Sequence, residues 1–281
     1  MQVFCYLSSD IFYLGYCRLA IGYSALPQCK LFNARCSMLN ETDKVKDKVK
    51  DKVRASGVGR ELVKPVGLWT APLRCLVFLL AASSIACLLS DFYHLCPMRL
   101  FTPFIFLPSL LALVALALFD RLSGDGHLSR AVFIGLGAGL LAAVAYDLFR
   151  LPFVFAKGLG ITAFVTPMNL FKVFPRFGAM ILGQPTEQPS YSLTAQLLGW
   201  AYHFSNGATF GVMYIAMIGN PARRHWSWAI LMAVTLELGM LFTPYPQVFG
   251  IQVIGHFIAV TAAAHAIFGL ALGLAVRRLW V

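Results

Sequence analysis

Residues 131–153 read AVFIGLGAGLLAAVAYDLFRLPF, an apolar run that contains only two charges, Asp147 and Arg150. A helix of about 20 apolar residues is long enough to cross the hydrocarbon core of a bilayer. Five further runs have the same character, namely residues 74–89, 100–119, 193–218, 226–242 and 251–276. The sequence therefore predicts an all-α integral membrane protein with a bundle of about six transmembrane helices.

The composition of the whole chain supports this class. Of its 281 residues, 59% are hydrophobic and only 12% are charged, whereas soluble domains carry about 25% charged residues. The net charge of +11 lies in short loops and one terminal run. That distribution is typical of residues that orient a protein in a membrane, and no basic and aromatic platform accompanies it. We therefore expect the lipid bilayer as the partner and no nucleic acid.

The first 70 residues differ from the rest of the chain. All seven cysteines precede residue 97, and residues 43–54 read DKVKDKVKDKVR, whose alternating charges leave no sizeable apolar face. We predict that residues 1–70 are a basic, poorly ordered cytosolic extension and that residues 71–281 are the transmembrane helical domain. In an alternative interpretation the chain begins at Met98, which would leave five spans.

Residues 161–182 are also apolar, but Lys172, Pro175 and Arg176 interrupt them. If this segment does not cross, all the remaining basic loops and both termini lie on one side, as the positive-inside rule requires. We therefore predict a re-entrant or interfacial helix on the outer face, with Lys172 and Arg176 reaching water. The same argument predicts a multi-pass protein of the cell membrane with both termini in the cytosol.

Two of the predicted spans carry one motif. A histidine is followed at four-residue intervals by two glycines, as His203-x3-Gly207-x3-Gly211 and as His265-x3-Gly269-x3-Gly273. Residues four apart share a helix face, and small residues at this spacing let helices pack closely in lipid. We expect the glycines to be helix-packing positions, and the two helices to run in the same direction as a pseudo-symmetric pair.

Ionisable residues within the spans form the candidate site. Each costs at least about 2.5–3.5 kcal/mol at the centre of a bilayer, so a chain retains one where it has a partner or a function. At about 1.5 Å per residue, these side chains lie between mid-membrane and the outer interface. We predict an outward-facing substrate or ion path formed by Asp147, Arg150, His203, Asn206, Glu237, His256 and His265. A purely structural alternative is that Asp147 and Arg150 neutralise each other.

Three functions remain open from the sequence. The first is a channel or carrier for a proton, a metal ion or a small solute. The second is an intramembrane enzyme acting on a lipid-like substrate through zinc or iron, with His203, Glu237 and His265 as candidate ligands and haem as a less favoured variant. The third is a structural subunit of a homo-oligomer or a larger membrane complex. No residue is identified as catalytic, since no tight metal-binding or nucleophilic motif occurs.

Overall fold

The computed structural model describes residues 67–280, and 77% of these residues are helical with no strand among them. Seven helices organise this part of the chain: α1 (Ala71–Phe92), α2 (Met98–Ser123), α3 (His127–Phe155), α4 (Val173–Leu182), α5 (Leu193–Ile218), α6 (Ser227–Leu241) and α7 (Gly255–Trp280). Helix α2 contains a π-helical turn at Thr102–Phe106, where Pro103 lacks a backbone donor. Short helical turns at Leu170–Lys172, Pro221–Arg223 and Tyr245–Val248 connect the others.

Four of these helices, α1, α2, α3 and α7, are long and apolar enough to cross a membrane. Large apolar side chains such as Leu111 (71% exposed), Leu148 (59%) and Leu231 (56%) point away from the bundle, as lipid-facing residues do. The described residues thus form an all-helical protein with four helices that could span a membrane. Helix α5 has sufficient length but many polar residues, and α6 has only 15 residues. The count of six spans therefore stays a prediction.

Helix α5 packs on α3 through glycines on both partners. A Cβ atom added at Gly135 would meet Val212 and Gly211, and one added at Gly211 would meet the Gly135 backbone. Gly139 faces Gly207 in the same way, four residues later in α3 and four residues earlier in α5. Because the numbers rise along α3 as they fall along α5, the two helices are antiparallel. The absence of side chains brings the two backbones into direct contact.

The second glycine motif packs on a different helix. Gly269 of α7 lies against the backbone of Ala229 and Ile230 in α6, and Gly273 lies against Trp226. Helices α5 and α7 run in the same direction, but the expectation that they pack as a pair is wrong, since α3 packs on both and lies between them. Each groove is filled by an antiparallel neighbour that itself presents small residues.

Helix α1 is an integral part of the bundle. Ser84 Oγ lies 2.8 Å from Thr209 Oγ1 of α5, and the Tyr202 hydroxyl donates to the Ser84 carbonyl at 2.6 Å. Near the other end of α1, the Arg74 guanidinium donates to the Ala216 carbonyl. The five-span alternative that begins at Met98 would leave these polar groups without their partners. Of the predicted N-terminal extension, residues 1–66 lie outside the described residues.

Only the second half of the interrupted segment 161–182 is an α-helix. Helix α4 has 10 residues, too few to cross a bilayer alone, and it packs on α5 where Gly178 contacts the Ala195 backbone. Whether it is re-entrant stays a prediction. Lys172 is exposed, as expected, but the expectation that Arg176 reaches water is wrong. Its side chain is 4% exposed, and it donates to the Phe249 carbonyl at 2.6 Å and to the Glu187 carboxylate at 3.1 Å.

Candidate functional site

A cavity of about 400 Å³ lies inside the bundle, lined by residues of α1, α3, α4, α5, α6 and α7. Its wall is largely apolar and aromatic, with contributions from Leu88, Phe174, Phe210, Met240 and Phe268. The cavity occupies the half of the bundle opposite the loops and helix ends that carry Arg223, Arg224, Arg277 and Arg278. Its polar lining is formed by Tyr146, Arg150, His203, Asn206, Thr235, Glu237, Thr243, Tyr245 and His265.

The first polar pair joins α3 to α5. The Asp147 carboxylate lies 2.9 Å from His203 Nε2 and 3.4 Å from an Arg150 nitrogen. Arg150 also donates to the Leu170 carbonyl, and its guanidinium lies 4.7 Å from the centre of the Tyr146 ring. Asp147 and Arg150 are 8% and 5% exposed. The carboxylate is thus balanced by a guanidinium, and a neutral His203 can still donate to it from Nε2.

The second polar pair joins α6 to α7. Glu237 Oε2 lies 3.5 Å from His265 Nε2, and His265 Nδ1 lies 2.9 Å from the Thr261 carbonyl oxygen. A carbonyl oxygen can only accept, so Nδ1 carries a proton and Nε2 is unprotonated whenever the ring is neutral. The carboxylate would then face a nitrogen lone pair. An attractive contact between the two groups requires one additional proton, either on the imidazole or on the carboxyl group.

The two pairs are related by the internal repeat. In each case the histidine that begins a His-x3-Gly-x3-Gly motif meets a carboxylate on the antiparallel helix that fills the glycine groove. Tyr146 lies between the pairs, with its ring centre 5.9 Å from that of His203 and 4.8 Å from that of His265. The sequence motif therefore marks a repeated structural unit that also includes an acidic residue.

The structure brings together six of the seven residues predicted from the sequence. Asp147, Arg150, His203, Asn206, Glu237 and His265 lie in or directly beside the cavity. His256 does not, because it is exposed and lies nine residues before His265, on the opposite face of the same helix. The four motif glycines lie at helix contacts, as expected of packing residues.

The described residues do not form a metal-binding set. Among them, no group of three or more His, Cys, Asp or Glu side chains is close enough to hold one ion. His203 and His265 are each directed at a separate carboxylate, so the proposed ligands His203, Glu237 and His265 do not converge. The geometry therefore gives no support to a zinc or iron centre at these residues.

Sequence reasoning missed several residues of the cavity, of which Tyr146 and Tyr245 matter most. Tyr146 directly precedes Asp147, so its position on a polar turn of an apolar helix was a usable signal. Tyr245 follows α6 in a loop, and its approach to the cavity depends on the tertiary fold. Burial raises the pKa of Tyr245 above its ordinary value, so its hydroxyl stays protonated and can donate.

Asn206 contributes a further polar group to the cavity. Its Oδ1 atom is buried and has no hydrogen-bond partner among the described residues. An unpaired buried acceptor costs about 1–3 kcal/mol.

No protein family model matches this chain, and no curated protein or solved structure resembles it significantly.

Proposed function

We propose that this protein is a small proton-linked channel or carrier with six membrane spans, in which the cavity takes a small solute. The long helices alternate in direction through their antiparallel contacts, and the arginine-bearing ends of α5, α6 and α7 lie together. Placed by the positive-inside rule, those ends and both termini face the cytosol of the cell membrane. The cavity then opens towards the outer half of the bilayer.

The pair Glu237 and His265 carries the proposal. Its geometry needs one proton that the pair can gain or lose, because His265 Nδ1 already donates to the Thr261 carbonyl. Asp147 has no such need, since Arg150 and a neutral His203 satisfy it. A group that binds a proton reversibly next to a solute cavity is what a proton-linked carrier requires.

The net charge of the ionisable groups beside the cavity also indicates that one proton is bound there. Asp147 and Glu237 contribute −2, Arg150 contributes +1, and two neutral histidines contribute nothing, which leaves −1. A net charge is costly in a low-dielectric interior. One proton makes this cluster neutral, so the cluster is most stable with either that proton or another single positive charge in place.

Proton flux into liposomes tests this function. The wild-type protein and the variant Glu237→Gln are reconstituted with an enclosed pH indicator, and a pH gradient is imposed while valinomycin clamps the membrane potential. Asp125→Asn is the matched control, because Asp125 is an exposed acid in the loop between α2 and α3. We expect proton flux in the wild type and in the control, and its loss in Glu237→Gln.

Proton uptake by the purified protein gives an independent measurement, which also applies if flux requires the solute. On acidification in weak buffer, Glu237→Gln should take up one proton fewer than the wild type. Equal flux and uptake by Glu237→Gln and wild type would show that the pair is not a proton site.

The absence of a three-residue metal set among the described residues leaves the metal-dependent enzyme without support.

A further inference from the structure

We infer that the solute of this cavity is a small lipophilic monocation, such as a protonated amine with an aromatic or alkyl body, which replaces the proton at Glu237 and His265. This inference rests on the proposed function and names its substrate class. Three properties of the cavity support it: the sign of its charge, the chemistry of its wall and the side from which it is reached.

The sign of the charge favours a cation. Without the extra proton the cluster carries −1, and the carboxylate that lines the cavity without a guanidinium partner is that of Glu237. Arg150 is not available to an anion, because its guanidinium is occupied by Asp147 and by the Leu170 carbonyl. Aromatic rings also cover it, with centres 4.7–5.3 Å away.

The wall of the cavity favours a lipophilic body. Rings of Tyr146, Phe174, Phe177, Phe210, Tyr245 and Phe268 line it. Aromatic faces attract organic cations, by about 0.5–1 kcal/mol at exposed sites and about 2 kcal/mol or more when the cation is desolvated. The volume of about 400 Å³ lies within the usual range for sites that bind small organic molecules. A hydrated inorganic ion would leave most of this apolar surface without an apolar partner.

The cavity can be reached from the hydrocarbon side. Ile85, Leu88 and Leu89 of α1 and Leu236 and Met240 of α6 line it from two sides. The closely packed helix pairs of the described bundle place α1 with α5 and α2, and α6 with α7, but do not include α1 with α6. In the route that we infer, a solute that partitions into lipid enters between α1 and α6, where apolar side chains of both helices line the cavity.

Binding of the cation is balanced by release of the proton. The protonated pair gives up one proton to water, and the cation takes its place beside the Glu237 carboxylate, so the charge of the site does not change. The groups that face Glu237 are His265 from α7, Tyr146 and Arg150 from α3, and Tyr245 from the short helix Tyr245–Val248. The Tyr146 ring lies between His265 and the second pair, which is formed by Asp147 and His203. While the pair is protonated, affinity for the cation should rise about tenfold per unit of increasing pH.

Radiolabelled N-methyl-4-phenylpyridinium is a suitable probe, because its charge is permanent and any proton released must come from the protein. The competitors are 4-methylbiphenyl, which has the same shape without charge, and biphenyl-4-carboxylate, which carries the opposite charge. Purified wild-type protein should bind the cation saturably and release one proton per cation to weak buffer. Neither competitor should displace it at tenfold excess. Glu237→Gln should weaken binding by about tenfold to a hundredfold and release no proton, while Asp125→Asn should behave as the wild type.

Each result bears on one claim. Equal competition by the neutral or the anionic analogue, or binding without proton release, would overturn the lipophilic-cation inference. If the Glu237-dependent proton uptake persists in that case, the proposed proton-linked function stands with a different solute. If Glu237→Gln takes up as many protons as the wild type, the proton site itself is wrong. Should that variant fail to fold, the comparison of cation with neutral analogue on the wild type still decides the substrate class.

Discussion

Replacement of Gly135 by alanine tests whether the glycine contact of α3 and α5 holds the two helices at their observed separation. The added Cβ would lie 2.7 Å from Val212 Cα and 3.0 Å from the Gly211 carbonyl carbon. Ordinary contacts between carbon atoms are about 3.5–4.0 Å, so the backbones must separate by about 0.8 Å or more at this point. Both neighbouring atoms belong to the backbone, so neither can rotate away as the end of a flexible side chain could.

The expected loss of stability follows from two opposing contributions. Overpacking of a well-packed contact costs about 1–3 kcal/mol, whereas alanine in place of glycine within a helix contributes roughly 0.8–1 kcal/mol in the opposite direction. The net loss is therefore up to about 2 kcal/mol, which would lower the melting temperature by up to roughly 8 °C for a chain of this size. Because Asp147 lies three turns further along α3, the same displacement should also weaken its contact with His203.

The assay is thermal unfolding in detergent, followed by intrinsic fluorescence, with Gly137→Ala as the matched control. Gly137 lies on the same helix, is exposed, and a Cβ added there would meet nothing within 4 Å. The control should match or exceed the wild type in melting temperature. Equal destabilisation by both substitutions would refute the argument, because the loss would then reflect the helix itself rather than its contact with α5.

Two further predictions concern buried polar contacts. Asp147→Asn leaves the Arg150 guanidinium uncompensated and should cost about 3–5 kcal/mol in unfolding free energy. Most of this loss should be recovered in the double variant that also carries Arg150→Met. An unaltered unfolding curve for the single variant would contradict the ion pair. Ser84→Ala leaves the Thr209 hydroxyl without its inter-helix partner and should cost about 1 kcal/mol in unfolding free energy. The control Ser83→Ala removes only a hydrogen bond within α1 and should cost less. The reverse order in a denaturation series would argue against the packing of α1 on α5.

The membrane class and the helical content could be predicted from composition and run length alone. Apolar runs of about 20 residues have few other solutions, because backbone polar groups in lipid must be paired within the helix. Most of the candidate site could be predicted on the same basis, since an ionisable residue such as Glu237 stands out against an apolar helix. Depth along each helix, counted from the arginines at the helix ends, indicated that these residues lie at similar levels.

Helix rotation and partner choice were decided by the tertiary structure. The two glycine motifs look alike in sequence, but one meets α3 and the other meets α6, since close packing depends on small residues that the partner presents. The exclusion of His256 and the burial of Arg176 also follow from which face of a helix is covered and by what. Sequence periodicity places a residue on a face but does not say which element packs against that face.

The sequence by itself thus determined the lipid environment expected for the chain and the position of its helices. It also determined which ionisable residues are too costly to bury without a partner. The tertiary structure decided that Glu237 meets His265 while Asp147 meets His203 and Arg150. The two carboxylate–histidine contacts in that assignment are inter-helix distances of 2.9 Å and 3.5 Å between residues far apart in sequence. It also separates the two pairs chemically, because the backbone partner of His265 Nδ1 leaves one pair in need of a proton that the other does not require.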